Sequence, residues 1–287
     1  MTLVVAHGGV SAHPPSQALE LSDLLEDAGT ARTALDAVEE AVRALENDPR
    51  FNAGFGAVLT LDGAFELDAG IADGETGSFG GVCTVTVANP ITLARRVMDA
   101  TPHVLLSAAG AMAFAGEATP VLTETTDAQR TRWRKARDLG VLDSAHYASP
   151  ATADTVGAIA LHDGLICAGS SSGGVFGKMP GRVGDACIFG AGVYASAAAG
   201  VVGTGIGEAF IETMAAARAG ALIEEGVHPQ DACEQVIRLI VGRRDVSAGL
   251  LALDRQGRAG AAYRGGSLPL GSVGLDGEIG RVRIDDI

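Results

Sequence analysis

The sequence predicts an α+β domain of four layers, with two β-sheets stacked face to face between two helical layers. Three observations carry that expectation. Apolar segments succeed one another as strand, helix, strands, helices, strands, a pattern that fits stacked sheets covered by helices. The 287 residues include 40 glycines and only 4% aromatics, so the core must be built from Ala, Val, Leu and Ile, whose small side chains let layers approach closely. No repeat, low-complexity tract or composition shift divides the chain, so residues 1–287 are read as a single domain.

Leu3 to Ala6 is a short apolar strand running into His7-Gly8-Gly9, where paired glycines permit a sharp turn. From Thr33 to Glu46, Leu35, Val38, Val42 and Leu45 recur at the spacing of one helical face. Thr33 with Asp36 resembles a capping box, and Asn47-Asp48-Pro49 ends the helix. Val58-Leu59-Thr60 and Ala64 to Ala69 read as a strand pair joined at Asp62-Gly63. Cys83 to Val87 alternates as a strand, and Asn89-Pro90 is placed to cap a helix from Ile91 to about Ala100. Arg95 and Arg96 read as a solvated helix face. Residues from about 121 to 154 are the least core-like, and a mobile linker is expected there. Its basic run with Trp133 resembles a nucleic-acid patch only locally, because the chain as a whole is acidic. Thr155 to Leu161 is a buried strand, Ala197 to Val202 another, Glu208 to Glu225 a long Ala-rich helix and Pro229 to Val241 a second. Gly249 to Leu253 and Arg258 to Tyr263 form a terminal hairpin.

The net charge is −14, with 35 Asp and Glu against 21 Lys and Arg, which argues against nucleic acid as a partner because phosphate neutralisation needs clustered cations. Lys135 and Lys178 are the only lysines. High-GC codon bias and a salt-adapted cytoplasm account for this equally well. Cys83, Cys167, Cys187 and Cys233 show no metal-ligand spacing and sit among apolar neighbours, so buried reduced thiols are expected. No signal peptide or membrane span is visible, and a cytoplasmic location is expected.

The densest run of motifs lies between Asp154 and Glu208: Asp154-Thr155-Val156-Gly157-Ala158, then Ser172-Gly173-Gly174, then Pro180-Gly181-Arg182-Val183-Gly184-Asp185, then Thr204-Gly205-Ile206-Gly207-Glu208. Each piece alone reads as an ordinary strand or turn. Their order and spacing closely resemble the isoaspartyl peptidase and plant-type L-asparaginase family of N-terminal-nucleophile (Ntn) hydrolases, which cut their own chain to expose a catalytic threonine. The likeness extends upstream through His7-Gly8-Gly9, Phe51-Asn52-Ala53-Gly54, Glu66-Leu67-Asp68 and Asn89-Pro90.

The resemblance implies the αββα sandwich of that class. It also implies self-cleavage between Asp154 and Thr155, giving an α chain of residues 1–154 and a β chain of residues 155–287. Thr155 becomes the nucleophile, with its own α-amine, of pKa near 7.7 to 8.0, as the base. Thr204 and Gly205 match the oxyanion donors. Arg182 matches the residue that holds the substrate α-carboxylate, and Asp185 the acceptor of its α-ammonium. An Arg182–Asp185 ion pair is the structural alternative. Asn52 matches a polar residue near the nucleophile. Ser172 stands where relatives carry a threonine, so the hydroxyl is kept and a methyl lost. Ile206 replaces a threonine and removes any hydroxyl there. His7 is given a supporting role.

The implied substrates are L-asparagine and β-aspartyl dipeptides, with no cofactor beyond a structural sodium on backbone carbonyls of the loop Leu45 to Phe51, and with two cleaved αβ pairs as the assembly. Glycosylasparaginase, a sister branch, shares the nucleophile logic. Gly190-Ala191-Gly192-Val193-Tyr194-Ala195 loosely fits a dinucleotide fingerprint, which would make the chain an oxidoreductase, but it needs a following helix. An uncleaved, non-enzymatic amino-acid binder is a third reading.

Overall fold

A computed structural model describes residues 2–10, 21–142, 155–276 and 278–284. Its strands are β1 (Leu3–His7), β2 (Leu67–Asp73), β3 (Phe79–Val85), β4 (Leu105–Ser107), β5 (Val156–His162), β6 (Leu165–Ser172), β7 (Val193–Ala195), β8 (Ala199–Gly205), β9 (Ala248–Asp254), β10 (Ala259–Arg264), β11 (Leu270–Val273) and β12 (Gly280–Arg283). Its helices are α1 (Glu26–Gly29), α2 (Ala34–Asn47), α3 (Pro90–Ala100), α4 (Ala108–Ala115), α5 (Asp127–Asp138), α6 (Gly207–Thr213), α7 (Ala215–Glu224) and α8 (Pro229–Arg243).

One sheet runs β11-β1-β5-β6-β2-β3-β4 and the other β12-β10-β9-β8-β7. Both are antiparallel except where β4 joins β3 and β12 joins β10 in parallel. Helices α2 and α3 cover the outer face of the first sheet, and α7 and α8 that of the second, while β5 and β6 meet β8 across the middle. This is the four-layer α+β sandwich that the sequence predicts.

Strand alternation sorts the side chains between layers. In β1, Val4 and Ala6 pack toward the helices while Val5 packs between the sheets. In β5, Ala158 and Ala160 face the helices and Ile159 the inter-sheet core. In β6, Ile166 and Ala168 face inward, and in β8, Val202 does. The same parity carries His7, Thr155, Ser172 and Thr204 to the inner faces.

Several elements depart from the sequence reading. The strand pair around Asp62-Gly63 is only a turn: the Thr60 hydroxyl bonds Ala64 on both main-chain groups, and the Leu61 N–H goes to the Lys178 carbonyl instead of a ladder. The expected linker contains α5, capped by Thr126, which accepts from the Gln129 N–H. Trp133 Nε1 donates to the Thr60 carbonyl at 2.9 Å, and the Arg132 guanidinium lies 4.0 Å from the centre of the Phe176 ring. The Trp133 ring sits against Gly63, where a Cβ would come within 2.8 Å of it. The rest of the expected linker, residues 143–154 with Ser149-Pro150 and Asp154, lies outside the described residues.

The long helix after Glu208 is two helices, broken at Met214, which takes φ 49° and ψ 52°. The break sets α7 against the Gly190 and Ala191 carbonyls, which accept from the Ala217 and Ala216 N–H groups and satisfy its free first turn. Gly190 to Ala195 leads into the β7–β8 hairpin, not a helix, so the dinucleotide reading fails on topology.

Asn89 does not cap α3 with its side chain. The Glu46 carboxylate does so from the end of α2, accepting the Ile91 N–H at 3.0 Å. Arg95 and Arg96 are engaged locally: Arg95 with Asp36 and Asp99, Arg96 with the Phe114 and Ala115 carbonyls.

Candidate active site

Thr155 is the residue immediately before β5, and only 4% of its surface is exposed. Its hydroxyl donates to Ser172 Oγ at 2.9 Å, at the end of the neighbouring strand β6. Ser172 therefore keeps the hydroxyl contact that the missing methyl left in question. Ser172 Oγ also accepts the Gly174 N–H at 3.0 Å, which ties the nucleophile candidate to the glycine turn.

Asn52 holds that same turn from the other side. Its Nδ2 donates to the Gly174 carbonyl at 2.7 Å, its carbonyl accepts the Gly173 N–H at 2.9 Å, and its Oδ1 accepts the Val58 N–H. A side chain at Gly173 would meet Asn52 Oδ1 at 2.3 Å, so glycine is required for this approach. Asn52 thus positions the turn after Ser172.

The opposite sheet supplies Thr204. A Cβ at Gly157 would lie 2.8 Å from the Val202 side chain, and one at Gly200 would lie 2.4 Å from that of Ile159. Gly157 and Ile159 of β5 thus lie against Val202 and Gly200 of β8, which runs the end of β5 next to Thr155 toward the end of β8 that carries Thr204. The buried Thr204 Oγ1 accepts the Val10 N–H at 3.1 Å, leaving its proton free to donate. Gly205 takes φ 139°, and a Cβ there would sit 2.5 Å from the Ser247 carbonyl oxygen, so the main chain beside Thr204 stays bare. Ile206 follows, buried in the core between the second sheet and its helices.

Arg182 and Asp185 lie at the start of α6. The point where a Gly207 Cβ would be is 3.0 Å from Arg182 Nη2 and 2.8 Å from Asp185 Oδ1. The cation and the carboxylate thus both close on the Gly207 main chain, where glycine leaves room for them. They do not pair with each other by hydrogen bond. Arg182 instead forms a two-bond fork with Glu208, Nε to Oε1 at 2.9 Å and Nη2 to Oε2 at 2.8 Å. Asp185 Oδ2 is buried with no hydrogen-bond partner among the described residues. Burial raises its pKa from 3.8 to about 7, against the pull of Arg182. A positive charge beside it would offset the cost of burial and favour the ionised carboxyl.

Two buried charges of this region were missed by sequence reasoning. Glu46 entered the sequence reading only as the last residue of the helix from Thr33. It is fully buried, accepting from Ser171 Oγ at 2.6 Å and Asn89 Nδ2 at 3.1 Å as well as from Ile91. The signal available was its place directly after Leu45 on the apolar face. Lys178 is fully buried too, and its Nζ donates to the Glu66 carbonyl at 2.6 Å. One of only two lysines set in a Gly-rich turn was the available hint. Asp68, quoted only as part of a motif, accepts the Thr84 N–H at 3.0 Å and the Gly184 N–H at 2.8 Å and so fixes the Arg182–Asp185 loop to the first sheet.

His7 is buried, with neither ring nitrogen hydrogen-bonded among the described residues. Burial lowers its pKa to about 3, offset only in part by the nearby Thr155 main chain, so the ring is neutral. It packs beside Gly157, where a Cβ would meet Nε2 at 2.7 Å, consistent with a supporting role.

Glu46 also gives a pH prediction. Its pKa is raised to about 7, with burial the largest cause, so its contribution to stability is complete below its ordinary 4.5 and is lost as pH rises toward 7. The loss is at most about 3 kcal/mol at 1.36 kcal/mol per pH unit. Glu46→Gln, which stays neutral, should melt with a flatter profile between pH 5 and 8 than wild type. Parallel profiles would remove Glu46 as the titrating group.

Among the described residues no group of three or more His, Cys, Asp or Glu is placed to hold a metal. The Glu46 and Phe51 carbonyl oxygens converge on the turn at Gly54 and Gly56, at 2.4 Å and 2.1 Å from where those Cβ atoms would be, and Pro49 O lies 2.8 Å from the second. Main-chain oxygens of this loop therefore press on both glycines, where a side chain would clash.

Comparison with known proteins shows which family the chain belongs to. Residues 18–270 match the family model described as Asparaginase. The chain belongs to this family. It is an Ntn-hydrolase family, and the two-sheet sandwich is its fold. The chain is 41% identical over 246 residues to the plant-type L-asparaginase of Pyrococcus abyssi, covering 80% of each chain. It is 40% identical over 273 residues to the isoaspartyl peptidase of Salmonella typhimurium, covering 91% of this chain and 84% of the relative. The isoaspartyl peptidase/L-asparaginase of Rattus norvegicus is 35% identical over 291 residues, covering 95% and 86%. Membership makes the chain a hydrolase of the Ntn type.

Proposed function

We propose that this hydrolase cleaves the side-chain amide of L-asparagine and of β-aspartyl dipeptides through an acyl-enzyme on Thr155, after self-cleavage at Asp154–Thr155. The observation that supports the reading is the buried Thr155 hydroxyl, hydrogen-bonded to Ser172 Oγ at 2.9 Å between the sheets. Thr155 Oγ attacks the amide carbon while its α-amine takes the hydroxyl proton. Thr204 and the Gly205 main chain stabilise the oxyanion, a role worth about 2.7 to 4 kcal/mol per donor. The C–N bond breaks as the amine returns the proton to the leaving nitrogen, and water then releases aspartate from Thr155.

Arg182 binds the substrate α-carboxylate, with Glu208 keeping the guanidinium plane fixed. Asp185 accepts the α-ammonium. Hydrolysis of L-asparagine and β-aspartyl dipeptides by the purified chain tests the reading. Turnover confined to glycosylated asparagine would move it to the sister branch.

In this reading a structural sodium ion on main-chain carbonyls of the loop Leu45 to Phe51 would brace the segment that carries Asn52. Two cleaved pairs form the assembly in this reading, supported by the exposed apolar side chains of Val104 and Leu105 beside the uncharged α4. The location is cytoplasmic in this reading, supported by four cysteines that are all free. Among the described residues no helix is long and apolar enough to cross a membrane.

The charge of −14 predicts a salt response. Raising salt to 1 M, where the screening length falls to about 3 Å, should raise the melting temperature by suppressing self-repulsion. A flat melting temperature across that range would favour codon bias as the origin of the acidity.

A further inference from the structure

We propose that Lys178 is a positioning residue whose buried ammonium holds the glycine turn after Ser172, and through Ser172 the Thr155 hydroxyl, against residues from the other side of the Asp154–Thr155 bond. The local sequence puts it there. Val175-Phe176-Gly177-Lys178 closes as a turn, with the Lys178 N–H donating to the Val175 carbonyl at 3.1 Å and Gly177 at φ 71° in the third position, where a positive φ favours glycine. That turn folds Lys178 back on the residues just before it. A Cβ on Gly174 would lie 2.7 Å from Lys178 Nζ and 2.8 Å from its Cδ, so stem and ammonium run against the Gly174 main chain. Gly174 is the residue whose N–H donates to Ser172 Oγ and whose carbonyl accepts from Asn52, and Ser172 Oγ in turn accepts the Thr155 hydroxyl.

Lys178 is anchored at both ends in residues 1–154. Its Nζ donates to the Glu66 carbonyl at 2.6 Å, just ahead of β2, and its own carbonyl accepts the Leu61 N–H at 2.8 Å. After a cut at Asp154–Thr155 these bonds join two separate chains. The side chain is fully buried, although a buried ammonium is costly where an apolar side chain of the same length would fill the space. Burial pulls the Lys178 pKa below its ordinary value and Arg182 adds to this, while the carboxylates of Asp68 and Glu66 oppose it. All the other Lys and Arg residues are arginines apart from Lys135. A compact point charge on a flexible stem suits a main-chain carbonyl behind Gly174 better than a planar guanidinium does.

The groups assigned to substrate binding are fastened by other bonds. Arg182 is held by Glu208, and Gly184, next to Asp185, by Asp68. Loss of the Lys178 ammonium should therefore disturb the nucleophile and spare the binding groups, so that kcat falls and KM holds. This consequence rests on the Thr155 reading above.

The test compares wild type with Lys178→Met, which keeps the stem and removes the charge and the donors, and with Lys178→Gln, which keeps a donor. kcat on a β-aspartyl dipeptide is taken per cleaved chain, counted by intact mass, at a temperature well below each melting point. It should fall about 30-fold in Lys178→Met, in keeping with a displacement of the reacting group by less than about 1 Å, with KM within about twofold of wild type. Lys178→Gln should recover part of the lost kcat, and where Lys178→Met does not fold, the same split is read on Lys178→Gln. Hydrogen exchange of the amides at 172–174, followed by mass on the full protein, should be at least about tenfold faster in either variant than in wild type. A folded variant with wild-type kcat, or one whose loss is carried by KM, would overturn the proposal and leave Lys178 a structural residue. Unchanged exchange at the turn would overturn it as well. That measurement needs no turnover: faster exchange in the variants of a wild type that hydrolyses nothing would sink the Thr155 reading and leave the hold of Lys178 on the turn standing.

Discussion

Thr155→Ala should yield a folded, full-length and inactive chain, with β-aspartyl dipeptide hydrolysis reduced by at least about 10⁴-fold. Loss of a nucleophile that also starts self-cleavage removes both reactions at once, and covalent nucleophiles commonly carry effects of that size. The stability cost is small, because Thr155 precedes β5 and, among the described residues, its hydroxyl makes one hydrogen bond, to Ser172 Oγ, which keeps its bond from the Gly174 N–H. Thr155→Ser keeps the hydroxyl and should still cut, more slowly, because it lacks the methyl that restricts χ1. In the cleaved wild type, activity should rise with pH as the new α-amine loses its proton, from a reference pKa near 7.7 to 8.0. Hydrolysis by Thr155→Ala at more than a trace would remove Thr155 from the mechanism.

Arg182→Lys should lower kcat/KM on β-aspartyl dipeptides about 100-fold, mainly through KM, with self-cleavage and melting close to wild type. The fork shared with Glu208 holds the guanidinium plane, and a lysine ammonium at that distance keeps the charge but neither the plane nor the second donor. Losing one charge-assisted hydrogen bond to a substrate carboxylate costs about 2.7 kcal/mol, which is that factor. Steady-state kinetics and a melting curve separate the outcomes: unchanged kinetics with a lowered melting temperature would make the Arg182–Glu208 pair structural only.

The layers were legible in the sequence because they depend on local periodicity. The order of apolar segments was enough for that, but the side each residue takes was not: Val4, Val5 and Ala6, like Ala158, Ile159 and Ala160, are uniformly apolar and are sorted between layers only in the structure. The motif residues were legible as a set, but their partners were not. Arg182 beside Asp185 in a short loop suggested an ion pair, and the fork went to Glu208 because α6 begins at Gly207 and turns its first carboxylate back toward the loop. Glu46 was invisible for a similar reason: its burial is decided by the N-terminus of α3 and by Ser171, which are distant in sequence. The break at Met214 was hidden in an Ala-rich run with high helix propensity. Tertiary contacts with the Gly190 and Ala191 carbonyls outweighed that propensity. Helix α5 had the opposite problem, since its polar composition masked the single Trp133 that docks it.

Intact mass of the purified wild type under reducing, denaturing conditions, paired with hydrolysis of a β-aspartyl dipeptide, tests the central claim most directly. The account predicts two fragments, one ending at Asp154 and one beginning with a free Thr155 α-amine, and activity that tracks their appearance. An active preparation consisting only of the unbroken 287-residue chain would contradict it.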